Sequence, residues 1–494
     1  MRLSKLLEAL PDAELIYSGE DWDREIENIF TDSREHSPNG LFVCLLGERV
    51  DSHTKIAQSA QNGGVAFVVS RVLETSAPQI LVKDTREALS LLACAFYGYP
   101  AKRMKLVGIT GTNGKTTTAH MLASIWNAAG KKTGIIGTLG AKFAGKTVDI
   151  ALTTPDPLQL QGLLAEMALC GVEYAVMEVS AHALFYKKVA GVEFSACIFT
   201  NLTQDHLDFF ADMQAYKRAK TGLFSADFCP LAVLNGDDAV GREIGEIRGA
   251  ETGLKTVYYG IQTPVDCFAL ITDENLYGTE CIFNINDELC RVRLGMTGRH
   301  NVYNALAAAV CAAELGADAE SIATGLNGLD GVAGRLQRVG EYNRASIYVD
   351  FAHTPDGLTQ SLQSLKRYCK GRLICLFGCG GNRDKSKRKI MGEAAAKNAD
   401  FTILTSDNPR FEDPLDIIGE IEKGHREISA RYVIVTERKR AIEYALDMLR
   451  RGDVLLVAGK GGERYQEIMG IKYPFNDQDI IEKLLKKKGK NPFA

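Results

Sequence analysis

The stretch Val107 to Thr118, reading VGITGTNGKTTT, limits what this chain can fold into more than any other. Leu106 to Thr110 is a short apolar, β-branched run and predicts a buried strand. A turn with Gly111 and Gly114 follows, then Lys115 and Thr116. From there TTTAHMLASIWNAAG predicts a helix with Met121, Leu122, Ile125 and Trp126 on one face and Gly130 as its stop. Strand, glycine turn, Lys-Thr and helix in this order make a phosphate cradle. Glycine lets backbone N–H groups approach a phosphate closely, and the helix N-terminus favours negative charge. In this reading Lys115 reaches the terminal phosphates and the Thr116 hydroxyl ligates Mg²⁺. The spacing departs from G-x-x-x-x-G-K-[ST], because Ile109 stands six residues before Lys115 and Gly108 lies one step earlier. The bland alternative is an ordinary strand-to-helix turn that contains glycines. The consecutive Gly-Lys-Thr-Thr between strand and helix weighs against it.

The chain has 494 residues, too many for one core, and about three domains follow. A net charge of −4 gives no nucleic-acid footprint. No apolar run approaches the ~20 residues needed to span a bilayer. The opening MRLSKLLEAL is too short and too charged for a secretory leader and predicts an amphipathic helix. The twelve cysteines are scattered singly without zinc-like spacing, which points to reduced thiols and a cytoplasmic protein. The basic run Lys483 to Lys490 reads as a solvated helix end.

The predicted class is α/β in three domains. Residues 1–102 form a small α/β block with strands around IENIF, GLFVCLLG and VAFVVS and a helix from about Thr54 to Asn62. Asp32, Ser33 and His53 lie in its turns and need no functional explanation by themselves. Residues 103–335 hold the phosphate loop and the strands LVGIT, GIIGT, YAVMEVS, ACIFTNL and LAVLN, separated mostly by helical patterns. That alternation predicts a parallel sheet covered on both faces, with ligands at the carboxyl ends of the strands. Glu178, Ser180 and His182 end one strand, Asn201, Asp205 and His206 follow another, and Thr153-Thr154-Pro155-Asp156 forms a turn. Glu178 closes an otherwise apolar strand, where a carboxylate is costly unless paired or metal-bound. It reads either as an edge-exposed or salt-bridged residue or, opposite a phosphate-loop threonine, as a second Mg²⁺ ligand. His206 alone reads as structural and Lys220 as a solvated helix lysine. Gly249 to Arg293 reads as strands and turns. Asn301 and Asn304 open a strong Ala-rich helix, either as caps or facing a nucleotide base.

Residues 336–494 repeat the alternation as a Rossmann-like sheet built on SIYVDF, RLICLFG, FTILTS, YVIVT and DVLLVAG. No G-x-G-x-x-G fingerprint is present, which argues against a nicotinamide cofactor. Polar clusters again end the strands: Asp350 and His353, Arg383 and Asp384, Asp407 to Arg410, and Lys460 to Glu463. Four in succession argue that this edge faces a ligand.

GTNGKTT after a strand resembles the nucleotide loop of the Mur ligases and of their relative folylpolyglutamate synthase. The resemblance to Mur ligases extends along nearly the whole chain, through TDSR, GITGTNGKTT, TTPD, MEVSAHAL, FTNLTQDHLDFF, YKRAK, GRHNVYNALAA, GRLQ, VDFAHTPD, FGCGGNRDKSKR, TSDNPR and AGKGGERYQ in family order. It is most similar to members that add the third residue of the peptidoglycan stem peptide. The resemblance implies UDP-substrate-binding, ATP-binding and amino-acid-binding domains and an ATP-driven amide synthesis through an acyl phosphate. Its substrates would be ATP, UDP-N-acetylmuramoyl-L-alanyl-D-glutamate and meso-diaminopimelate, with Mg²⁺ as cofactor and a cytoplasmic monomer as the form.

Carried over residue by residue, the resemblance implies that Gly111, Thr112, Asn113, Gly114, Lys115, Thr116, Thr117, Asn301, Arg335 and Asp350 face ATP. Lys115, Glu178, His206 and Lys220 are the implied catalytic set. Thr116, Glu178, His206 and Lys220 would hold metal, Lys220 as an N6-carboxylysine carbamate. Ser33, His53, Thr153, Thr154, Ser180 and Lys188 match positions around the UDP-muramoyl dipeptide. Arg383, Asp407, Asn408, Pro409, Arg410, Gly459 and Glu463 match the amino-acid pocket. In the family DNPR accompanies meso-diaminopimelate, whose distal carboxylate a guanidinium grips bidentately.

The chain also departs from the family pattern. Lys188 stands where arginine is frequent, Gly462 replaces the histidine of GKGHE, and Arg464 replaces an acidic residue. Phe351 stands for tyrosine, Ala181 for serine, and Leu152 precedes TTP where asparagine is common. The competing readings are a ligase for L-lysine or another amino acid on the same scaffold, a folylpolyglutamate synthase, and a nucleotide-binding scaffold without catalysis.

Overall fold

The computed structural model describes residues 1–17, 19–47, 50–251 and 253–489. Lys490, the end of the basic run, lies outside them. The chain divides into two compact units: Met1–Gly108 with Lys132–Ala196 and Gly222–Pro230, and Ile109–Lys131 with Cys197–Thr221 and Leu231–Ala494.

In the first unit a five-stranded sheet has the order Glu14–Ile16, Gln79–Leu81, Gly64–Val69, Gly40–Val43, Asn28–Phe30. All neighbours are parallel except the edge strand Glu14–Ile16. Side-chain alternation splits its core. Ile29, Leu41, Val43, Val68 and Ile80 meet Leu3, Leu6 and Leu92 on one face, and Phe30, Phe42 and Phe67 cluster on the other. The amphipathic opening is a helix of only five residues, Leu3–Leu7, with Leu3 and Leu6 buried. The helix predicted from Thr54 starts as a 3₁₀ turn, Ser52–Lys55, because Asp51 caps it through the His53 N–H, and continues as Ile56–Gln61. Elsewhere in this unit Thr133–Gly137 and Tyr174–Glu178 pair in parallel, and the strands Gly140–Phe143 and Lys146–Val148 extend them antiparallel.

In the second unit the strand residues Cys197 to Phe199 and the strands Leu231–Asn235 and Lys255–Gly260 are parallel neighbours. The weakly patterned stretch after Gly249 holds an antiparallel meander, Cys267–Asn275, Gly278–Ile285 and Glu288–Leu294. The helix after the phosphate loop runs Lys115–Ala128 and buries Met121, Leu122, Ile125 and Trp126. A six-stranded sheet has the order Gln337–Tyr342, Ala345–Asp350, Val454–Ala458, Leu373–Phe377, Phe401–Leu404, Tyr432–Ile434, antiparallel only at its first pair. Its inner parallel strands are mostly apolar because both faces are covered. Tyr348, Phe377, Leu404 and Leu456 pack toward Leu358, Met391 and Ile421, while Ile347, Ile374, Ile403 and Leu455 pack toward Ile442, Leu446 and Ile481. Five of these strands run in the same direction, and at the carboxyl ends of four of them lie Asp350, Arg383, Asp407 to Arg410 and Lys460 to Glu463, all at one edge. A hairpin, Tyr465–Ile468 with Ile471–Pro474, completes this edge.

Candidate active site

The phosphate loop owes its shape to its glycines. Gly111 has φ +146° and Gly114 +90°. A Cβ at Gly111 would lie 1.9 Å from Thr200 Oγ1, and one at Gly114 2.3 Å from Asn304 Oδ1. Those neighbours brace the loop. Thr112 N–H donates to Asn201 O at 2.8 Å, Asn113 N–H to Asn201 Oδ1 at 3.0 Å, and Thr200 Oγ1 to Asn113 O at 2.6 Å. Thr112 Oγ1 donates to Thr203 O at 3.1 Å. Lys115 Nζ curls back to donate to Gly111 O at 2.8 Å and Thr112 O at 2.9 Å. Thr116 and Thr117 are buried in the first turn of the helix, and the Thr116 hydroxyl accepts from Arg335 Nη2 at 2.8 Å.

Lys220 is not a solvated helix lysine. On the helix Met213–Thr221 it lies one turn after Tyr216, on the same face, and both are buried. Its Nζ donates to Gly111 O at 2.7 Å and sits 4.7 Å from the centre of the Tyr216 ring. Burial, then repulsion from Lys115, push its pKa well below the usual lysine range, and Asp205 only partly offsets them. His206 takes a left-handed backbone, φ +57°, and its Nε2 lies 3.4 Å from Asp205 Oδ2. Asp205 also faces His353 at 3.8 Å and Lys387 at 3.6 Å. Burial pushes its carboxyl up, but His353, His206 and Lys387 around it outweigh that and hold it below the usual range.

Arg335 stacks its guanidinium 4.3 Å over the Phe351 ring while reaching Thr116. Asp350 is buried and accepts from Leu336 N–H at 3.1 Å, Phe351 N–H at 2.7 Å and the Ser361 hydroxyl. Asn301 and Asn304 are not caps. The helix Arg299–Glu314 starts from Gly298 without a side-chain cap. Asn301 Nδ2 donates to Thr297 O at 2.8 Å, and Asn304 Oδ1 backs the phosphate loop at Gly114 and accepts from Thr118 Oγ1 at 3.4 Å.

The edge of the six-stranded sheet gathers the predicted amino-acid residues. Asn408 Nδ2 donates to Glu463 Oε2 at 2.9 Å, and Asn408 Oδ1 accepts from Lys460 Nζ at 2.9 Å. Lys460, fully buried, also donates to Glu463 at 2.8 Å. Asp407 Oδ1 accepts the Asn408 N–H at 2.7 Å, and Gly459, at φ +108°, passes so close that a Cβ would lie 2.7 Å from Asp407 Oδ2. The chain folds tightly at Pro409, where the preceding Asn408 O accepts Gly381 N–H at 2.9 Å. Arg410 Nε pairs with Glu467 at 3.2 Å, and Nη1 donates to Gly381 O at 2.7 Å. Arg383 is exposed beside them.

The remaining predicted residues belong to the first unit. Glu178 is buried, and Thr138 supplies it with N–H at 2.9 Å and hydroxyl at 3.1 Å, so it is a hydrogen-bonded carboxylate and not an edge residue. Thr153 Oγ1 lies 3.2 Å from Thr138 Oγ1, and Thr154 Oγ1 donates to Glu178 O at 2.9 Å. Ser180 caps the short helix Ala181–Phe185, and Lys188 pairs with Asp156 at 2.7 Å. His53 is buried. Its Nε2 accepts Ser70 N–H at 3.0 Å, so Nδ1 carries the proton and donates to Asp51 at 2.6 Å. Ser33 Oγ donates to Gln58 at 3.0 Å.

The sequence reading missed Thr138, Tyr216, Lys387 and Glu467. Thr138 closes a predicted strand at its carboxyl end and Tyr216 precedes Lys220 by four residues, so both carried a positional signal. Lys387 and Glu467 find their partners far along the chain and carried none. Among the described residues no three His, Cys, Asp or Glu side chains converge as a metal cage. No helix among them is long and apolar enough to cross a membrane.

Residues 109–312 match the Mur ligase middle domain, and residues 334–461 match the Mur ligase, glutamate ligase domain. The chain is 41% identical over 495 residues to the UDP-N-acetylmuramoyl-L-alanyl-D-glutamate--2,6-diaminopimelate ligase of Syntrophomonas wolfei subsp. wolfei, covering 98% of this chain and 100% of that one. It is 39% identical to the ligase of the same name from Bacillus licheniformis, with 98% and 99% covered. A solved structure of a ligase of that name superposes with a TM-score of 0.71 at 29% identity, covering 99% of this chain and 100% of that chain. Similarity of this extent, over a chain whose phosphate loop and sheet edge are built as described, means that the protein belongs to the Mur ligase family of ATP-dependent acid–amino-acid ligases.

Proposed function

We propose that the chain joins meso-diaminopimelate to UDP-N-acetylmuramoyl-L-alanyl-D-glutamate at the expense of ATP, in the making of peptidoglycan precursors. A carboxylate is a poor acyl donor at neutral pH, so the reaction begins by giving it a leaving group. The glutamyl carboxylate attacks the γ-phosphorus of ATP, the bond to the β-phosphate breaks, and an acyl phosphate and ADP result. The amine of the incoming amino acid then attacks the acyl carbon and phosphate departs. Catalysis of this kind is mostly positioning and charge neutralisation. In this reading Lys115 leaves the carbonyls of Gly111 and Thr112 for the phosphates, and Arg335, Asn301 and Asp350 line the nucleotide.

The observation that carries the reading is Lys220, buried beneath the phosphate loop with its basicity suppressed. A neutral amine can attack CO₂, forming an N–C bond and releasing a proton, whereas an ammonium cannot. The resulting carbamate keeps one N–H, enough to go on donating to Gly111 O, and gains an anionic oxygen pair. By resemblance to the family, Thr116, Glu178, His206 and that carbamate would be the groups offered to Mg²⁺. This oxygen-rich set suits a hard cation, which when bound would draw charge from the transferred phosphoryl group. Ser33, His53, Thr153, Thr154, Ser180 and Lys188 are assigned to the UDP-muramoyl dipeptide. Arg410, with Asn408, Arg383, Asp407, Pro409, Gly459 and Glu463, is assigned to the amino acid. In this reading three domains, 1–102 for the UDP substrate, 103–335 for ATP and 336–494 for the amino acid, make up a cytoplasmic monomer.

Phosphate release tests the reading, with ATP, Mg²⁺ and the UDP-muramoyl dipeptide present and meso-diaminopimelate compared with L-lysine. Release stimulated by diaminopimelate supports it. Stimulation by lysine alone keeps the ligase and overturns the amino acid, with Gly462 and Arg464 the first residues to revert. Release with neither removes both substrates.

A further inference from the structure

We infer that Glu467 sets how strongly this site holds an amino acid bearing a distal carboxylate, by competing with that carboxylate for Arg410. Glu467 is a positioning residue in this role, and the inference rests on the assignment of Arg410 made above. Arg410 has a left-handed backbone, φ +52°, and is stapled on both sides to the hairpin that carries Glu467. Its N–H donates to Glu467 O at 3.0 Å, and its carbonyl accepts Met469 N–H at 2.7 Å. Backbone and side chain of Glu467 therefore meet the same arginine.

The guanidinium has two edges that can take a carboxylate with two parallel N–H bonds: Nε with Nη2, and Nη1 with Nη2. Each already has an internal acceptor. Gly381 O, a fixed backbone group, takes Nη1 at 2.7 Å. Glu467 takes the other edge with one oxygen only, at 3.2 Å to Nε. That is longer than the usual charge-assisted bond and leaves Nη2 and Glu467 Oε1 without a hydrogen bond among the described residues. The pair is not sealed, with the side chains 18% and 20% exposed. A substrate carboxylate can gain the full bidentate grip on the Nε–Nη2 edge only when Glu467 swings away, and Glu467 has the solvent access to do so. The neighbouring acid, Glu463, does not share this freedom, because Lys460 and Asn408 hold it. Glu467 thus acts as an internal stand-in for the distal carboxylate and raises the concentration of substrate needed to displace it.

The test is a kinetic double-mutant cycle with Glu467→Gln, Arg410→Ala and the double variant, reading KM for meso-diaminopimelate and KM for ATP. Glu467→Gln keeps shape and hydrogen-bonding capacity but loses the charge. It is expected to lower KM for diaminopimelate by roughly 2- to 5-fold, the scale of a partly exposed ion pair, with KM for ATP unmoved. In the Arg410→Ala background the same change is expected to do nothing. A merely structural Glu467 would act equally in both backgrounds, and that result overturns the inference. So does an unchanged or raised KM in Glu467→Gln while Arg410→Ala raises it. If Arg410→Ala itself leaves KM unchanged, the assignment of Arg410 fails, and the inference with it.

Discussion

The loops at Gly111–Lys115 and Asn408–Arg410 both follow strands and both belong to the second unit, yet they are held by different forces. The first is braced by uncharged hydrogen bonds from Thr200, Asn201 and Thr203, and the Nζ groups of Lys115 and Lys220 rest on its carbonyl oxygens. The second is braced by ion pairs, Arg410 with Glu467 and Lys460 with Glu463. A dipole-braced loop does not titrate, and it keeps cationic groups where an anionic ligand can use them. An ion-paired loop already contains its counter-ion, so a charged ligand must exchange with it. Affinity for phosphate can then come from charge itself. Selectivity for the amino acid comes from a difference between two carboxylates, a smaller and more tunable quantity.

The largest effect that would break this contrast is expected at Lys220. Lys220→Ala removes a group that the loop buries without an ion-pair partner among the described residues, and activity should fall by roughly 10²- to 10³-fold, the cost of losing one preorganised electrostatic group. A small carboxylate added to the assay should restore part of it by filling the vacated space with an anion. Full activity in the variant would sink the carbamate. Replacing the brace instead of the charge, Gly111→Ala meets Thr200 Oγ1 at 1.9 Å in a backbone region closed to alanine. It should raise KM for ATP more than KM for diaminopimelate.

A smaller effect belongs to the ion-paired loop. Arg410→Ala should raise KM for meso-diaminopimelate by about 2 kcal/mol, roughly 30-fold, the low end for a charge pair that is partly desolvated. The effect should shrink as salt is added, because water reaches the pair. An equal rise in KM for ATP would mean that the loop had collapsed rather than lost a contact.

The same contrast explains what was legible in the sequence. The parallel strands announce themselves because both faces are buried, which forces unbroken runs such as LICLF and VLLVA. The phosphate loop is legible because its glycines answer to positive φ and close approach, constraints local in sequence. The hairpin Tyr465–Pro474 has no such mark, since its strands are half-buried or exposed and show no apolar alternation. Glu467 meets Arg410 across 57 residues, a pairing that no spacing rule encodes. Lys220 was misread from physics alone for a related reason. Its role depends on being buried, and YKRAK surrounds it with residues that look solvated. Only the resemblance to the Mur ligases singled it out.

Acid should separate the two loops. Two residues beyond Arg410, Glu412 receives both terminal nitrogens of the buried Arg388 at 2.9 Å, along with the Asn382 N–H and Lys385 at 3.3 Å. The Arg388 hydrogen bonds lead in lowering its pKa, from 4.5 to about 2. A carboxyl lowered on folding stabilises the native state above its unfolded pKa and loses that contribution as pH falls through the folded value. The window therefore runs from about pH 4.5 down to about pH 2. Glu412→Gln should cost about 2 kcal/mol at pH 7, a little less than a fully broken buried pair because Glu420 still holds Arg388 at 3.0 Å. Thermal melts of both proteins across pH should show their difference shrinking through that window, as the native carboxylate takes up the proton that the unfolded one already carries. A difference that stays constant from pH 7 to pH 3 would mean that Glu412 holds its loop by shape alone. The ion-paired edge would then be no more sensitive to charge than the phosphate loop.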